Sequence, residues 1–327
     1  MRRREFITLL GGAVATWPMA ARAQQPTRPV VGVLRSTAPD DATDFLGPFR
    51  QGMMSGGFTD GENVTIDFRL AENRYDRLPA LVADLVRKQP AVIVATGAVN
   101  VALAAKAATS TTPIVFVIGS DPVEHGLVAS LNRPGGNVTG VTLLGSALMA
   151  KRVELLRELV PRVNAIGFLV NPNNANTEME TKELQMVARA NGWTLHVVPA
   201  NTERDLDTAL ATLVRLGAGA FLHSTDIFFT SQYPVLVTLE ARYKLPSIYG
   251  RRDGVTSGGL VSYGARVADV YRLAATYTVR ILKGEKPADL PVQLPTIFEL
   301  VINMKTARAM GITVPTSILL RADEVIE

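Results

Sequence analysis

The feature that most restricts how this chain can fold is a repeat of short apolar runs alternating with longer stretches whose apolar residues recur at helical spacing. The runs are Val30–Leu34, Val64–Phe68, Ala91–Ala95, Ile114–Ile118, Ala165–Val170, Leu195–Val198, Ala220–His223, Ser247–Tyr249 and Leu260–Tyr263. Several lack the apolar–polar alternation of a half-exposed strand, which marks strands buried on both faces of a parallel sheet. Between them, Leu78, Leu81, Val82, Leu85 and Val86 form one helical stripe. Val153, Leu155, Leu156, Leu159 and Val160 form a second, and Leu206, Ala209, Leu210, Leu213 and Val214 a third. Ser146 is placed to cap the second helix, Thr202 with Asp205 approximates a capping box, and Asn191-Gly192 closes the helix before Trp193. Such repetition predicts an α/β protein with open, mostly parallel sheets covered by helices on both faces.

A length of 327 residues leaves room for two core-bearing units. Gly135-Gly136-Asn137 and Gly140 mark a turn near mid-chain, and a fresh strand–helix series starts at Ala165. Two similar doubly wound lobes joined near Val141–Gly145 are therefore expected. After Tyr263 come a long helical pattern (Val267 to Leu282), a Pro-rich crossing (Pro287, Pro291, Pro295), a strand at Phe298–Ile302 and a helix around Lys305–Met310. Lobes linked by several crossings leave a cleft between them.

Residues 1–23 begin with Arg2, Arg3 and Arg4, continue through Phe6, Ile7, Leu9, Leu10 and small residues, and end on Ala21-Arg22-Ala23. This is the layout of a secretory signal, with an apolar core too short to span a bilayer. Arg3-Arg4-Glu5-Phe6-Ile7 resembles the twin-arginine consensus of bacterial folded-protein export. Residues 24–29 then read as a linker. The signal holds four arginines and one glutamate, so the net charge of +4 falls to +1 beyond it. With Lys and Arg interspersed among Asp and Glu, the basic face of a nucleic-acid binder is missing. No later apolar run is long enough to span a membrane. The absence of cysteine excludes disulfides, thiolate metal sites, a cysteine nucleophile and a lipid anchor on cysteine. A freely diffusing, monomeric periplasmic protein is expected.

In parallel α/β sheets ligands bind where strands end and helices begin. The residues at those positions are Ser36 and Thr37, Thr96 and Gly97, Ser120 and Asp121, Asn171 through Thr177, and Ser224-Thr225-Asp226. These short polar side chains, with backbone N–H groups at helix starts, suit a small polar solute. Singly, each also serves as a cap or turn former. Four asparagines within residues 171–177 exceed what one cap requires. Tyr263 is the aromatic residue best placed after a strand to pack on a ligand. Arg251-Arg252 with Asp253 reads as an anion clamp or a solvated turn. No G-x-S-x-G, Walker, G-x-G-x-x-G or H-E-x-x-H motif is present. His196 and His223 fall inside apolar strand patterns and are expected to be packed; His125 sits at a helix start. No cofactor and no metal is called for.

Several segments carry a family resemblance: Phe49-Arg50-Gln51-Gly52 through Gly57-Phe58 and Gly61-Glu62-Asn63-Val64, Arg74-Tyr75-Asp76-Arg77-Leu78-Pro79, Ser120-Asp121-Pro122-Val123, Asn132 through Gly140, Leu169-Val170-Asn171-Pro172, and Leu282 through Pro291. In order and spacing they resemble the ABC-transporter substrate-binding proteins of the tryptophan/tyrosine-type family, which share the type I periplasmic binding protein fold. The resemblance implies three crossings, with residues 30–143 and 265–296 in one lobe and 144–264 and 297–327 in the other. It implies capture of a small solute, an amino acid or an aromatic one, by hinge closure, and delivery to an inner-membrane permease with its ATPase. By position in the family pattern, Ser36, Thr96 and Asp121 would supply one wall and Asn173, Asn176 and Asp226 the other, with Asp121 or Asp226 meeting an ammonium group. An extracytoplasmic sensor for a membrane signalling protein, or an exported enzyme, are the competing expectations.

Overall fold

A computed structural model describes residues 28–38, 43–143 and 145–327. The signal at 1–23 and residues 24–27 of the linker lie outside the described residues. Apolar runs become strands where expected: β1 (Val30–Arg35), β2 (Thr65–Leu70), β3 (Val92–Thr96), β4 (Ile114–Ile118) and β5 (Val138–Thr142) form a parallel sheet in the order β2-β1-β3-β4-β5. Every residue of β3, β4 and β5 is buried, as sheets covered on both faces require.

Alternate residues of these strands feed two cores. Val31, Val33, Val92, Val94, Val115 and Val117 face helix α1 (Thr43–Ser55) through Phe45, Phe49 and Met53. Leu34, Ile93, Ala95, Ile114, Phe116 and Ile118 face α2 (Leu78–Arg87) and α3 (Val99–Ala108). The two-residue side-chain period of a strand produces this division directly.

One expectation needs correction. Gly135 and Gly136 do turn, with φ of +69° and +64°, but Gly140 lies inside the buried strand β5. A Cβ there would fall 2.2 Å from the carbonyl oxygen of Phe116, so glycine is required for β5 to lie against β4.

The second lobe starts with α4 (Met149–Leu159), β6 (Ala165–Val170), α5 (Thr177–Ala190), β7 (Thr194–Pro199), α6 (Glu203–Arg215) and β8 (Ala220–His223). Then come α7 (Ile227–Ser231), α8 (Tyr233–Tyr243), β9 (Ile248–Tyr249), α9 (Arg252–Thr256) and β10 (Val261–Ala265). β7, β6 and β8 pair in parallel, and a bridge between Phe221 and Ser247 continues the sheet into β9 and β10. The chain then returns to the first lobe as α10 (Val267–Leu282), whose Val270, Tyr271, Ala274 and Ala275 complete the core around Phe45 and Phe49. It finally adds β11 (Phe298–Asn303), antiparallel to β10, then α11 (Met304–Met310), α12 (Thr316–Leu319) and β12 (Glu324–Ile326) to the second lobe.

Three crossings thus join the lobes: residues 143–145, 265–266 and 293–297. Gln293 N donates to Gly140 O (2.9 Å) and Arg266 N to Ile297 O (3.2 Å), so the strands of the hinge brace one another. Local signals mostly hold. Asp205 Oδ2 accepts from Thr202 N at 2.9 Å in the capping box, and Gly192 leaves α5 at φ +71°. Ser146 does not cap α4, whose N-cap position is Leu148; its hydroxyl instead meets Glu180.

Candidate functional site

The carboxyl ends of β3 and β4 face those of β8 and β9 across a cavity lined by Thr96, Gly119, His223 and Gly250. The lobes touch directly around it. Tyr75 OH donates to Asp226 Oδ1 at 2.9 Å. Asn100 donates from Nδ2 to Asn173 O and accepts from Ala175 N, both at 3.0 Å, and His125 Nε2 lies 3.0 Å from Asn176 Oδ1. The Thr225 methyl seats in a notch between Gly119 and Gly145, where a Cβ would fall 2.2 and 2.6 Å from it. This is a closed arrangement in which side chains of one lobe bond the other.

The chemistry of the cavity centres on Arg152, projecting from α4 and only 6% exposed. Its Nε donates to Tyr263 O (2.9 Å) and its Nη1 to Gly145 O (3.1 Å). Among the described residues no carboxylate forms an ion pair with it, and burial pulls its pKa down from 12.5. Guanidinium stays charged in proteins, so the result is a buried cation whose hydrogen bonds go to backbone carbonyls and not to a carboxylate. Glu180, also buried, attracts it through space but is not hydrogen-bonded to it. Its oxygens accept from Ser146 Oγ (3.1 Å) and Thr225 N (2.8 Å), and burial raises its pKa to about 7. Thr96 Oγ1, His223 Nε2, Ser224 Oγ and Thr225 Oγ1 also belong to residues that border the cavity, and these atoms are buried and have no hydrogen-bond partner among the described residues. Buried polar atoms are normally satisfied, so four in one cavity point to a polar guest.

Of the residues singled out in the sequence, Thr96, Gly97, Ser224, Thr225 and Asp226 line this cavity. Asp226 caps α7 through Phe228 N (2.8 Å) and also accepts from Asn174 Nδ2 (2.9 Å) and Tyr75. Its pKa is raised by burial, and its oxygens are occupied by protein donors. Ser36 and Thr37 lie behind the wall: Ser36 Oγ accepts from Ala98 N at 3.3 Å and Thr37 Oγ1 from Arg35 Nε at 2.7 Å. Gly97, at φ +110°, lets the chain pass Ser36, whose Oγ would lie 2.3 Å from a Cβ. Ser120, Asp121 and Asn176 line a second depression with Glu124 and Glu183. Asp121 there accepts from Val123 N at 2.7 Å. Asn173 is exposed and touches Asn100, and Thr177 Oγ1 donates to Asn171 O. The asparagine cluster thus forms side-chain turns and closure contacts. The Tyr263 ring stacks on Phe298 in the second core, and its carbonyl holds Arg152.

Sequence reasoning missed Arg152, His223 and Tyr271 as cavity residues, ranked Tyr233 below Tyr263 among the aromatic candidates, and left Arg251, also on the wall, between two readings. A signal for Arg152 existed: it shares the buried face of α4 with Leu156 and Leu159, at offsets of four and seven residues.

The comparisons agree with this architecture. The model of the ABC transporter substrate binding protein family matches residues 31–326. A "Tyrosine-binding protein" of Clostridioides difficile (strain R20291) is 29% identical over 263 residues, 80% of this chain and 75% of that protein. An ABC domain from Streptococcus pneumonia, solved in complex with L-Trp, is 28% identical, covers 92% of this chain and 100% of its own, and superposes with a TM-score of 0.82. A substrate-binding protein with adhesive properties from Clostridium difficile, solved ligand-free and open, is 26% identical over 91% of this chain and 99% of its own, yet superposes at 0.65. Similar coverage with poorer superposition on the open relative matches the closed lobes described above. The chain belongs to the ABC transporter substrate binding protein family.

Proposed function

We propose that this chain is the exported receptor of an ABC importer, which captures an α-amino acid with an aromatic side chain and hands it to an inner-membrane permease and its ATPase. The observation that carries the reading is Arg152, a buried cation at the wall of the interlobe cavity to which, among the described residues, no carboxylate is hydrogen-bonded. A solute carboxylate is its natural counter-ion, since charge-assisted hydrogen bonds are strongest where water is excluded. The ring would lie toward Tyr233 and Tyr271. The tyrosine-binding relative and the L-Trp complex support an aromatic amino acid.

Residues 1–23 would direct export to the periplasm by the twin-arginine route. Residues 30–143 with 265–296 would then swing against 144–264 with 297–327 about the three crossings. Closure is driven only if the solute binds the closed form better than the open one, so it must touch both lobes. Thr96 from one lobe and Arg152 with Thr225 from the other meet that demand.

Calorimetry with L-tryptophan, L-tyrosine and their amides tests the reading. The wild type should bind the acids 10- to 100-fold more tightly than the amides, about 1.4 to 3 kcal/mol for a charge-assisted contact. Arg152→Met should bind acids and amides alike, at a melting temperature that shows it folded. A wild type indifferent to the carboxylate would overturn the proposal.

A further inference from the structure

His223 ends β8 and is 8% exposed, with its ring 5.4 Å from Phe229, 5.6 Å from Tyr233 and 6.0 Å from Tyr249 between centroids. Its Nδ1 lies 3.0 Å from the carbonyl oxygen of Ser224. A carbonyl only accepts, so Nδ1 carries the proton of this bond. Burial, together with the positive charge of Arg152 and against the bond to Ser224 O, lowers the imidazole pKa to about 4. The ring is therefore neutral near pH 7, and Nε2 keeps a bare lone pair. Among the described residues no donor reaches that nitrogen, and the residue borders the interlobe cavity. Water alone would satisfy it when the cleft is open; on closure the guest must.

We infer that His223 Nε2 is a specificity-determining acceptor, which selects carboxylate solutes that also present an N–H or O–H donor to it. This rests on the reading of the cleft as a solute site and deepens it. Arg152 supplies donors only, and the oxygens of Asp226 are already filled by Tyr75, Phe228 N and Asn174. An apolar atom placed against Nε2 would leave a desolvated acceptor unpaired, and sites built to hydrogen-bond a guest reject analogues lacking the group far more strongly than apolar pockets reject a missing methylene. The donor can come from the ring, as a phenol O–H or indole N–H, or from the α-ammonium group.

Two ligand pairs separate these sources: L-tyrosine against L-phenylalanine removes the ring donor, and L-tyrosine against 3-(4-hydroxyphenyl)propanoate removes the ammonium. Calorimetry on the full exported protein should show a loss of about 10-fold or more for one pair in the wild type. That ratio should fall toward one in His223→Leu and recover in His223→Gln, whose amide oxygen can accept. Recovery in the glutamine variant distinguishes lost acceptance from a damaged fold. A ratio that stays the same in His223→Leu, or wild-type binding insensitive to both donors, overturns the assignment alone. If neither L-tyrosine nor L-tryptophan binds the wild type, the reading of the cleft fails and the assignment with it.

Discussion

Replacing Gly119 by alanine should weaken solute binding without touching the fold of either lobe. Gly119 follows β4, and its nearest non-local neighbour is the Thr225 methyl of the other lobe. An alanine Cβ would lie 2.2 Å from Thr225 Cγ2, whereas carbon atoms rest at roughly 3.5–4.0 Å, so closure would have to stop short or shift by about 1.5 Å. Overpacking of this kind costs about 1–3 kcal/mol. The clash exists only in the closed form, so the whole cost falls on the closure step and hence on the dissociation constant, which should rise about 5- to 100-fold. Thr225→Ser removes Cγ2, and the next nearest atom, Thr225 Cβ, stands at 3.5 Å, an ordinary contact. The double variant Gly119→Ala with Thr225→Ser should therefore regain most of the lost affinity. Calorimetry with L-tryptophan gives the affinities, small-angle scattering the closed fraction, and thermal melts of the ligand-free protein the control. Unchanged affinity in Gly119→Ala, or no rescue in the double variant, would refute the closure geometry; a lowered melting temperature would show that Gly119 serves its own lobe instead.

Tyr75→Phe deletes the hydroxyl that crosses the cleft to Asp226. It should raise the dissociation constant about 5- to 30-fold, from about 1–2 kcal/mol for a bond to a buried acceptor, while ligand-free stability stays within about 0.5 kcal/mol. Glu240, buried and bonded to Ser247 and Tyr249, has its pKa raised by burial to about 7 from 4.5. The folded state holds its proton more tightly than the unfolded state, so this contribution is present below pH 4.5 and lost as pH rises toward 7. The size is on the order of 3 kcal/mol, and Glu180 adds a second such term. Urea unfolding from pH 4.5 to 8 should show stability falling from this pair, and Glu240→Gln should flatten that slope by about half; an identical slope would contradict the burial argument.

Much of the fold was readable because the strands of the first sheet are buried on both faces and so carry unbroken apolar runs. β5 escaped notice: Val138-Thr139-Gly140-Val141-Thr142 is diluted by two threonines and by the glycine that Phe116 demands. β12 escaped because three residues at an edge leave no pattern. The loops after strands led to Thr96, Gly97, Ser224, Thr225 and Asp226 on topology alone. Arg152 and His223 lay hidden inside a helix and a strand, where polar residues are ordinarily surface or packing features. Their significance depends on which lobe comes to face them, a relation between residues far apart in the chain. Ser36 and Asn173 show the converse: local signals placed them near the cleft, and their bonds are spent on turns and wall support.

The return of α10 to the first lobe also governs how the molecule can be made. The face of the first sheet that carries Val31, Val33, Val92, Val94, Val115 and Val117 is covered by α1 and α10, and the second helix is synthesised more than a hundred residues after β5. Likewise, the second lobe waits for β11 to pair with β10. A nascent chain therefore shows a valine-rich surface covered only by α1 for more than a hundred residues of its synthesis, and the two lobes are completed only with α10 and β11. Contacts this distant in sequence slow folding and expose the intermediate to aggregation. Loss of residues 288–327 would remove two strands, β11 and β12, from the second lobe together with the final crossing, so this segment serves both halves rather than one.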